Sequence, residues 1–190
     1  MPQWTGFWHQ YFVTTAARSP DQVALDLWND EPSVKKSYLA DEHYQAALLE
    51  QYKVYVEMAD RISARRALAN TFFLTLHAAV LTLIGIFWDK QPEGTPWLLL
   101  LPLVVALGLC LAWFWLVRSY RQLNSGKFAV IAALEQRLPA SPFWKAEWTA
   151  LGKGLDKSMY WPLTHLEQWV PLLFGLAYLL GAALAIGSNV

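Results

Sequence analysis

A histidine within an apolar segment of this chain could bind or transfer protons inside a membrane. Residues 68–88 hold no Asp, Glu, Lys or Arg, and His77 lies near their middle, with Asn70 and Thr75 close by in sequence. An ionisable side chain in lipid is costly, and its default interpretation is functional. A neutral histidine that bonds to a threonine or a carbonyl of a neighbouring helix explains the same pattern, and we favour it as the simpler interpretation. The sequence predicts an intramembrane polar site at His77, Asn70 and Thr75.

Four charged residues precede this segment, at the level where a helix would pass the lipid headgroups. They are Asp60, Arg61, Arg65 and Arg66. Basic side chains at such a level extend towards the interface and orient a protein. In a symmetric assembly the same residues would form a charged ring at the mouth of a central axis. Both interpretations fit the sequence.

Small residues recur at every fourth position near the end of the chain, at Ala177, Gly181 and Ala185. Such a row lets two membrane helices approach each other closely. The spacing is compatible with a contact within one subunit and with a contact between subunits.

The sequence predicts no catalytic, cofactor or metal site. Its four histidines are far apart, no HExxH occurs, and Cys110 is the single cysteine. Segment 152–158 superficially resembles a phosphate-binding loop, but Asp156 stands where a glycine is needed and no predicted strand precedes it. Fifteen basic residues balance fifteen acidic ones, so the chain has no electrostatic footprint for nucleic acid. We therefore expect a protein that is not an enzyme and binds neither a cofactor nor nucleic acid.

The elements that position these residues are the helices of a membrane protein. Hydrophobic residues make up 55% of the chain and charged residues only 16%, unlike an ordinary soluble domain. An apolar row at helical spacing, uninterrupted by proline, predicts one long helix whose residues 42–67 lie outside the membrane and whose residues 68–88 form the first span. Residues 97–117 and 169–187 are the second and third spans, a re-entrant third segment being the weaker alternative. The predicted fold class is all-α, an integral membrane protein with three transmembrane helices and a helical domain built on the long helix.

Further helices are predicted outside the membrane, in the sequence before the long helix and between the second and third spans. Segment 1–41 is amphipathic and aromatic, and its residues 19–22 have the composition of a capping box. Segment 118–168 holds one amphipathic helix that ends at Pro139 and a second that starts at Pro142. Both helices have apolar faces, and we expect them to rest on the apolar stripe of the long helix.

Basic residues predict the orientation of the chain in the membrane. They precede the first span and follow the second, whereas the turn between the two holds a single lysine, Lys90. By the positive-inside rule, the N-terminus and the helical domain are cytoplasmic. Because three spans follow, the C-terminus is expected outside.

Two strings of residues resemble the RipA-type family of small bacterial inner-membrane proteins. They are YKVYVEMADRISARR at 52–66, which leads into NTFF at 70–73, and SYRQLNSGKF at 119–128. The similarity covers about residues 44–180. It implies a protein of the bacterial cytoplasmic membrane that assembles as a homo-octamer, with no family catalytic residue to carry over.

The function that follows is a non-enzymatic homo-oligomeric membrane assembly, either channel-like or a scaffold. One small protomer offers more apolar helix surface than it can cover, and closed rings are a usual way to bury such surface. The expected partners are membrane lipid and further copies of the chain. The alternative is a pore-forming effector of bacterial antiviral defence, by analogy of architecture alone.

Overall fold

The described part of the chain is mainly helical, and three of its helices are long and apolar enough to cross a membrane. The computed structural model describes residues 18–38, 40–87, 100–156, 158–160 and 163–187, and no strand occurs among them. The helices are α1 (Pro20–Leu27), α2 (Pro32–Ser37), α3 (Asp41–Phe87), α4 (Leu100–Glu135), α5 (Trp148–Ala150) and α6 (Leu163–Gly187). A π-helical turn (Pro142–Glu147) leads into α5, and a 3₁₀ turn (Gly152–Gly154) follows it. The predicted fold class, an all-α membrane protein, is confirmed.

Some of the predictions concern residues that the structure does not describe. The aromatic face of residues 1–17, the turn after the first span and the start of the second span lie outside the described residues, as do residues 188–190.

Helix α3 is continuous over 47 residues, as its proline-free sequence predicts. At about 1.5 Å per residue it is roughly 70 Å long. Its buried side chains include Leu48, Ala59, Ile62 and Phe73, which follow the predicted apolar row. Leu83, near the end of that row, is exposed.

Helix α4 differs from the prediction, because the second span and the amphipathic segment after it form one helix of 36 residues. The sequence offers no proline between Pro102 and Pro139 that would end a helix. Gly126 lies inside α4, where a glycine costs only about 1 kcal/mol relative to alanine. Burial of residues 131–135 at the end of the helix outweighs that cost.

Helix α4 is also the centre of the packing. It contacts α3 along one side and α6 along another, and α1 and the π-helical turn pack on its C-terminal part. The segment that begins at Pro142 was expected to rest on the long helix, but it packs on α4, where the rings of Phe128 and Phe143 lie 6.4 Å apart. The reason is Glu135 at the end of α4, which accepts hydrogen bonds from this segment.

The first described helix starts at the predicted capping box. Ser19 Oγ accepts a hydrogen bond from the Gln22 backbone N–H, and the Gln22 side chain accepts one from the Ser19 N–H. The far end of α1 is held by Arg137, which donates to Asp30 at 2.6 Å and lies over the Trp28 ring. The hydrogen bond to Asp30 is the main reason why the pKa of Arg137 is raised.

Candidate functional site

The three long helices meet around His77, which is completely buried. Helix α3 contributes His77 and, about one and two turns earlier on the same face, Phe73 and Asn70. Helix α4 contributes Cys110 and Trp113. Helix α6 contributes the aromatic residues Phe174 and Tyr178. We call these seven residues the His77 centre.

Both ring nitrogens of His77 have polar neighbours. Nδ1 lies 2.9 Å from the Tyr178 hydroxyl, and Nε2 lies 3.8 Å from Cys110 Sγ. In one tautomer Tyr178 donates to Nδ1 and Nε2–H points at the sulfur; in the other, Nδ1–H donates to the hydroxyl oxygen. Either arrangement satisfies a neutral imidazole, so the site joins α3 to α6 without a buried charge.

Aromatic rings enclose this polar pair. The Phe174 ring lies 5.0 Å from the imidazole and the Trp113 ring 5.6 Å from it. Trp113 is itself fixed, because its indole N–H donates to Asn70 Oδ1 at 2.8 Å and its ring stacks on Phe73. The arrangement sets the register of three helices with two hydrogen bonds, each between side chains of different helices.

The structure brings two of the three predicted intramembrane polar residues together and leaves the third apart. His77 and Asn70 lie in the His77 centre, whereas Thr75 is exposed and donates to the Thr71 carbonyl of its own helix at 2.9 Å. The partner of His77 is a tyrosine rather than a threonine or a carbonyl. Tyr178 is the only strongly polar residue in the third span. Because a polar group inside the bilayer is satisfied only by other polar groups of the protein, this position was the sequence signal for the partner of His77.

The four charges at the membrane boundary do not lie together. Arg66 points towards the inside, where its Nε lies 3.2 Å from Glu167 Oε2 of α6 and both side chains are mostly buried. Asp60, Arg61 and Arg65 are exposed. The structure therefore assigns Arg66 to helix packing and leaves the other three at the surface of the protomer.

The small residues of α6 line a cleft of about 180 Å³ between α3, α4 and α6. Ala185 is buried, whereas Ala177 and Gly181 are exposed, and a Cβ atom added to Gly181 would meet nothing within 4 Å. The close approach lies instead at Gly175, where an added Cβ would lie 3.9 Å from the Leu107 side chain and 4.0 Å from that of Cys110.

A second polar centre, not predicted, lies at Glu135, which is buried. Its carboxylate accepts four hydrogen bonds: from Ser141 Oγ at 2.6 Å, from the Tyr52 hydroxyl at 3.1 Å, and from the backbone N–H groups of Phe143 and Trp144 at 3.0 Å each. Burial raises the pKa of Tyr52 to about 12, with further contributions from the charge of Glu135 and the hydrogen bond to it. We call these five residues the Glu135 centre. A glutamate in the otherwise apolar run AVIAALE was the sequence signal for it.

Neither centre has the composition of a metal site. Within the described residues, no group of three or more His, Cys, Asp or Glu side chains is placed to hold a metal ion. The His77 centre offers one imidazole and one thiol, and the Glu135 centre one carboxylate whose oxygens already accept hydrogen bonds. Both arrangements join helices.

Comparisons with known proteins agree with this description. Neither the curated proteins nor the solved structures gave a match. A family model described as the octameric membrane protein family matches residues 49–187, which is most of the chain and includes α4, α6 and all but the first eight residues of α3. The chain therefore belongs to the octameric membrane protein family.

Proposed function

We propose that the protein is a non-enzymatic homo-octameric assembly of the bacterial inner membrane, channel-like or a scaffold. The observation that carries this proposal is apolar surface on the charged half of α3, where lipid does not cover it. Leu49, Val54 and Met58 are 42%, 51% and 41% exposed there. Exposed apolar side chains that recur along one helix are typical of an interaction surface. The family match supplies the expected number of copies.

The exposed residues lie on two different flanks of α3. At about 100° per residue, Val54, Met58, Arg61 and Arg65 share one flank beside the buried stripe, and Leu49 and Asp60 lie on the other. A cyclic ring requires a heterologous contact between two different surfaces. Apolar residues on both flanks, with an acid on one and arginines on the other, suit such a contact. We propose that Asp60 of each copy faces Arg65 of the next.

Charge reversal tests this contact. We expect Asp60→Arg to dissociate the octamer, because like charges then face each other, and Asp60→Arg with Arg65→Asp to restore it. Native mass spectrometry of the detergent-solubilised protein measures the number of copies. The matched control is Glu57→Lys, which reverses an exposed charge on α3 about one turn from Asp60, on the outward face between the two flanks. An octamer that survives Asp60→Arg, or a double variant that stays dissociated, contradicts the proposed contact.

The orientation and the type of assembly are part of the same proposal. Arg61, Arg65 and Arg66 before the first span, and Arg118 and Arg121 after the second, favour a cytoplasmic helical domain. In a Glu57→Cys variant, a membrane-impermeant maleimide should label the new thiol only after the inner membrane is opened. Labelling in intact spheroplasts would show that the helical domain faces the periplasm, opposite to the proposed orientation. The RipA-type assignment and the antiviral alternative stay predictions. Measuring the conductance of the octamer in liposomes separates a channel from a scaffold.

A further inference from the structure

A cavity of about 610 Å³ lies where α3 and α4 pass from their apolar to their charged halves. Arg66 precedes the apolar half of α3, and Arg121 follows that of α4 by about one turn. On the side away from the membrane, the start of α1, the π-helical turn and α5 close the cavity. We call it the boundary cavity. Its lining includes Arg18, Arg66, Arg121, Asn124, Phe128 and Trp148.

Positive charge predominates in the lining. Arg18, Arg66 and Arg121 line the cavity together with one carboxylate, Glu147. Contacts with α6 hold two of the arginines in place, since Arg66 pairs with Glu167 and Arg121 donates to Gln168 at 3.0 Å. Asp26, outside the lining, pairs with Arg18 at 3.5 Å, so the anion-binding part of the cavity lies at Arg66 and Arg121, at a level where phospholipid phosphates are concentrated.

Another part of the lining, which we call the aromatic wall, consists of aromatic rings. Phe128, Trp144 and Trp148 are large rings that line the cavity and are still at least 40% exposed. Trp and other amphipathic aromatic side chains are favoured at the membrane interface, at the level of the lipid headgroups. An anionic ligand with an apolar part would cover this wall.

One acceptor in the lining lacks a donor. Asn124 Oδ1 is buried and accepts no hydrogen bond from any of the described residues. A buried acceptor without a partner is costly and matches a ligand that carries a donor. A headgroup hydroxyl is such a donor.

We propose that the boundary cavity binds the headgroup of an anionic phospholipid from the surrounding bilayer. The phosphate lies at Arg66 and Arg121, a headgroup hydroxyl donates to Asn124, and the rest of the headgroup extends beyond the phosphate, away from the bilayer, to the aromatic wall. Guanidinium groups bind the phosphate of a zwitterionic lipid as well. The cavity favours an anionic lipid because the arginines repel a cationic headgroup of similar size, and a choline headgroup has no hydroxyl to donate to Asn124. The inference depends on the membrane location of the chain and not on its role as a channel or scaffold.

Native mass spectrometry of the full-length assembly tests the proposal. The protein is reconstituted in vesicles with equal amounts of phosphatidylglycerol and phosphatidylcholine and then released into detergent. We expect the wild type to retain phosphatidylglycerol, and Arg121→Gln to retain about tenfold less, the change expected from one charge-assisted hydrogen bond. The control Lys127→Gln removes one positive charge from α4 outside the cavity lining and should retain as much as the wild type.

A second pair of variants tests the cavity without changing its charge. Ser125 is exposed and lines the cavity, so Ser125→Phe should fill it and also lower retention. Ser119→Phe, on the same helix but outside the lining, should not. The same spectra count the subunits, so that loss of lipid is distinguished from loss of the octamer.

Four outcomes would overturn the proposal. Equal retention of the two lipids in the wild type removes the role of charge. Equal losses in Arg121→Gln and Lys127→Gln reduce the effect to surface electrostatics. No retained lipid in the wild type means that protein covers the cavity. Dissociation of the octamer by Ser125→Phe at unchanged lipid retention identifies a second copy as the occupant.

Discussion

The His77 centre and the Glu135 centre are both buried polar sites that join helices, but they satisfy their polar atoms differently. The His77 side chain makes one short hydrogen bond, to Tyr178, and aromatic rings surround it. Glu135 is an acid that accepts four hydrogen bonds, two of them from backbone N–H groups. The first site lies in the apolar halves of the helices and the second in the part rich in charge.

The difference follows from the availability of backbone donors. Within a membrane span every backbone N–H is used by its own helix, so a polar side chain there pairs only with other side chains. At the end of α4 and the start of the π-helical turn, the first N–H groups of a helical segment have no partner within it. A carboxylate is therefore satisfied at Glu135 but would not be at the position of His77.

The largest effect is expected from Glu135→Ala. The substitution leaves the part-buried donors of Tyr52, Ser141, Phe143 and Trp144 without an acceptor, and an unsatisfied donor costs about 1–3 kcal/mol where it is fully buried and less where water reaches it. We expect the free energy of unfolding to fall by at least about 3 kcal/mol, measured by denaturant titration in detergent. Glu147→Ala, which removes an exposed carboxylate of the same segment, is the control. A loss no larger than that of the control would mean that the Glu135 centre does not hold the segment.

A smaller effect is expected at the His77 centre. A double-mutant cycle with His77→Leu and Tyr178→Phe should give a coupling energy of about 0.6–1.7 kcal/mol, the range found for side-chain hydrogen bonds between membrane helices. Thr75→Val is the control and should show no coupling with Tyr178→Phe, because Thr75 bonds within α3. Coupling as large as the Glu135 effect would erase the contrast between the two sites.

The same His77 variant separates a structural from a functional role. If His77 takes up a proton during function, His77→Leu changes conductance or complementation between pH 5 and 8, where a histidine switch acts. A variant that behaves like the wild type throughout this range would assign His77 to packing alone.

The smallest effect is expected from Tyr52→Phe, and it depends on pH. The folded-state pKa of Tyr52 is about 12, above the usual value of about 10 in an unfolded chain. The folded state thus keeps a proton that the unfolded state loses, so this contribution to stability is complete below pH 10 and is lost as the pH rises towards 12. We expect the unfolding midpoint of the wild type to fall more steeply than that of Tyr52→Phe over this interval. Tyr55→Phe should follow the wild type, and parallel curves for wild type and Tyr52→Phe would refute the coupling to Glu135.

Local features of the fold were predictable from the sequence. The uninterrupted α3, the capping box at Ser19 and the three apolar helices depend on helical spacing, on the absence of proline and on residues at most four positions apart. His77 and Asn70 were recognised because polar residues stand out in an apolar segment. The continuity of α4 was missed, because a change from apolar to amphipathic composition indicates a new environment and does not by itself end a helix.

The sequence alone determined that this chain is a set of membrane helices and which faces of α3 are apolar, since these properties depend on neighbours along one helix. Only the tertiary structure decided that α4 is the central helix, that His77 pairs with Tyr178, and that Glu135 pairs with Tyr52. The partners in these two pairs lie 101 and 83 residues apart. Such pairing depends on the relative rotation and register of whole helices, and many registers bury similar apolar area. Hydrogen bonds between a few polar side chains select one of them.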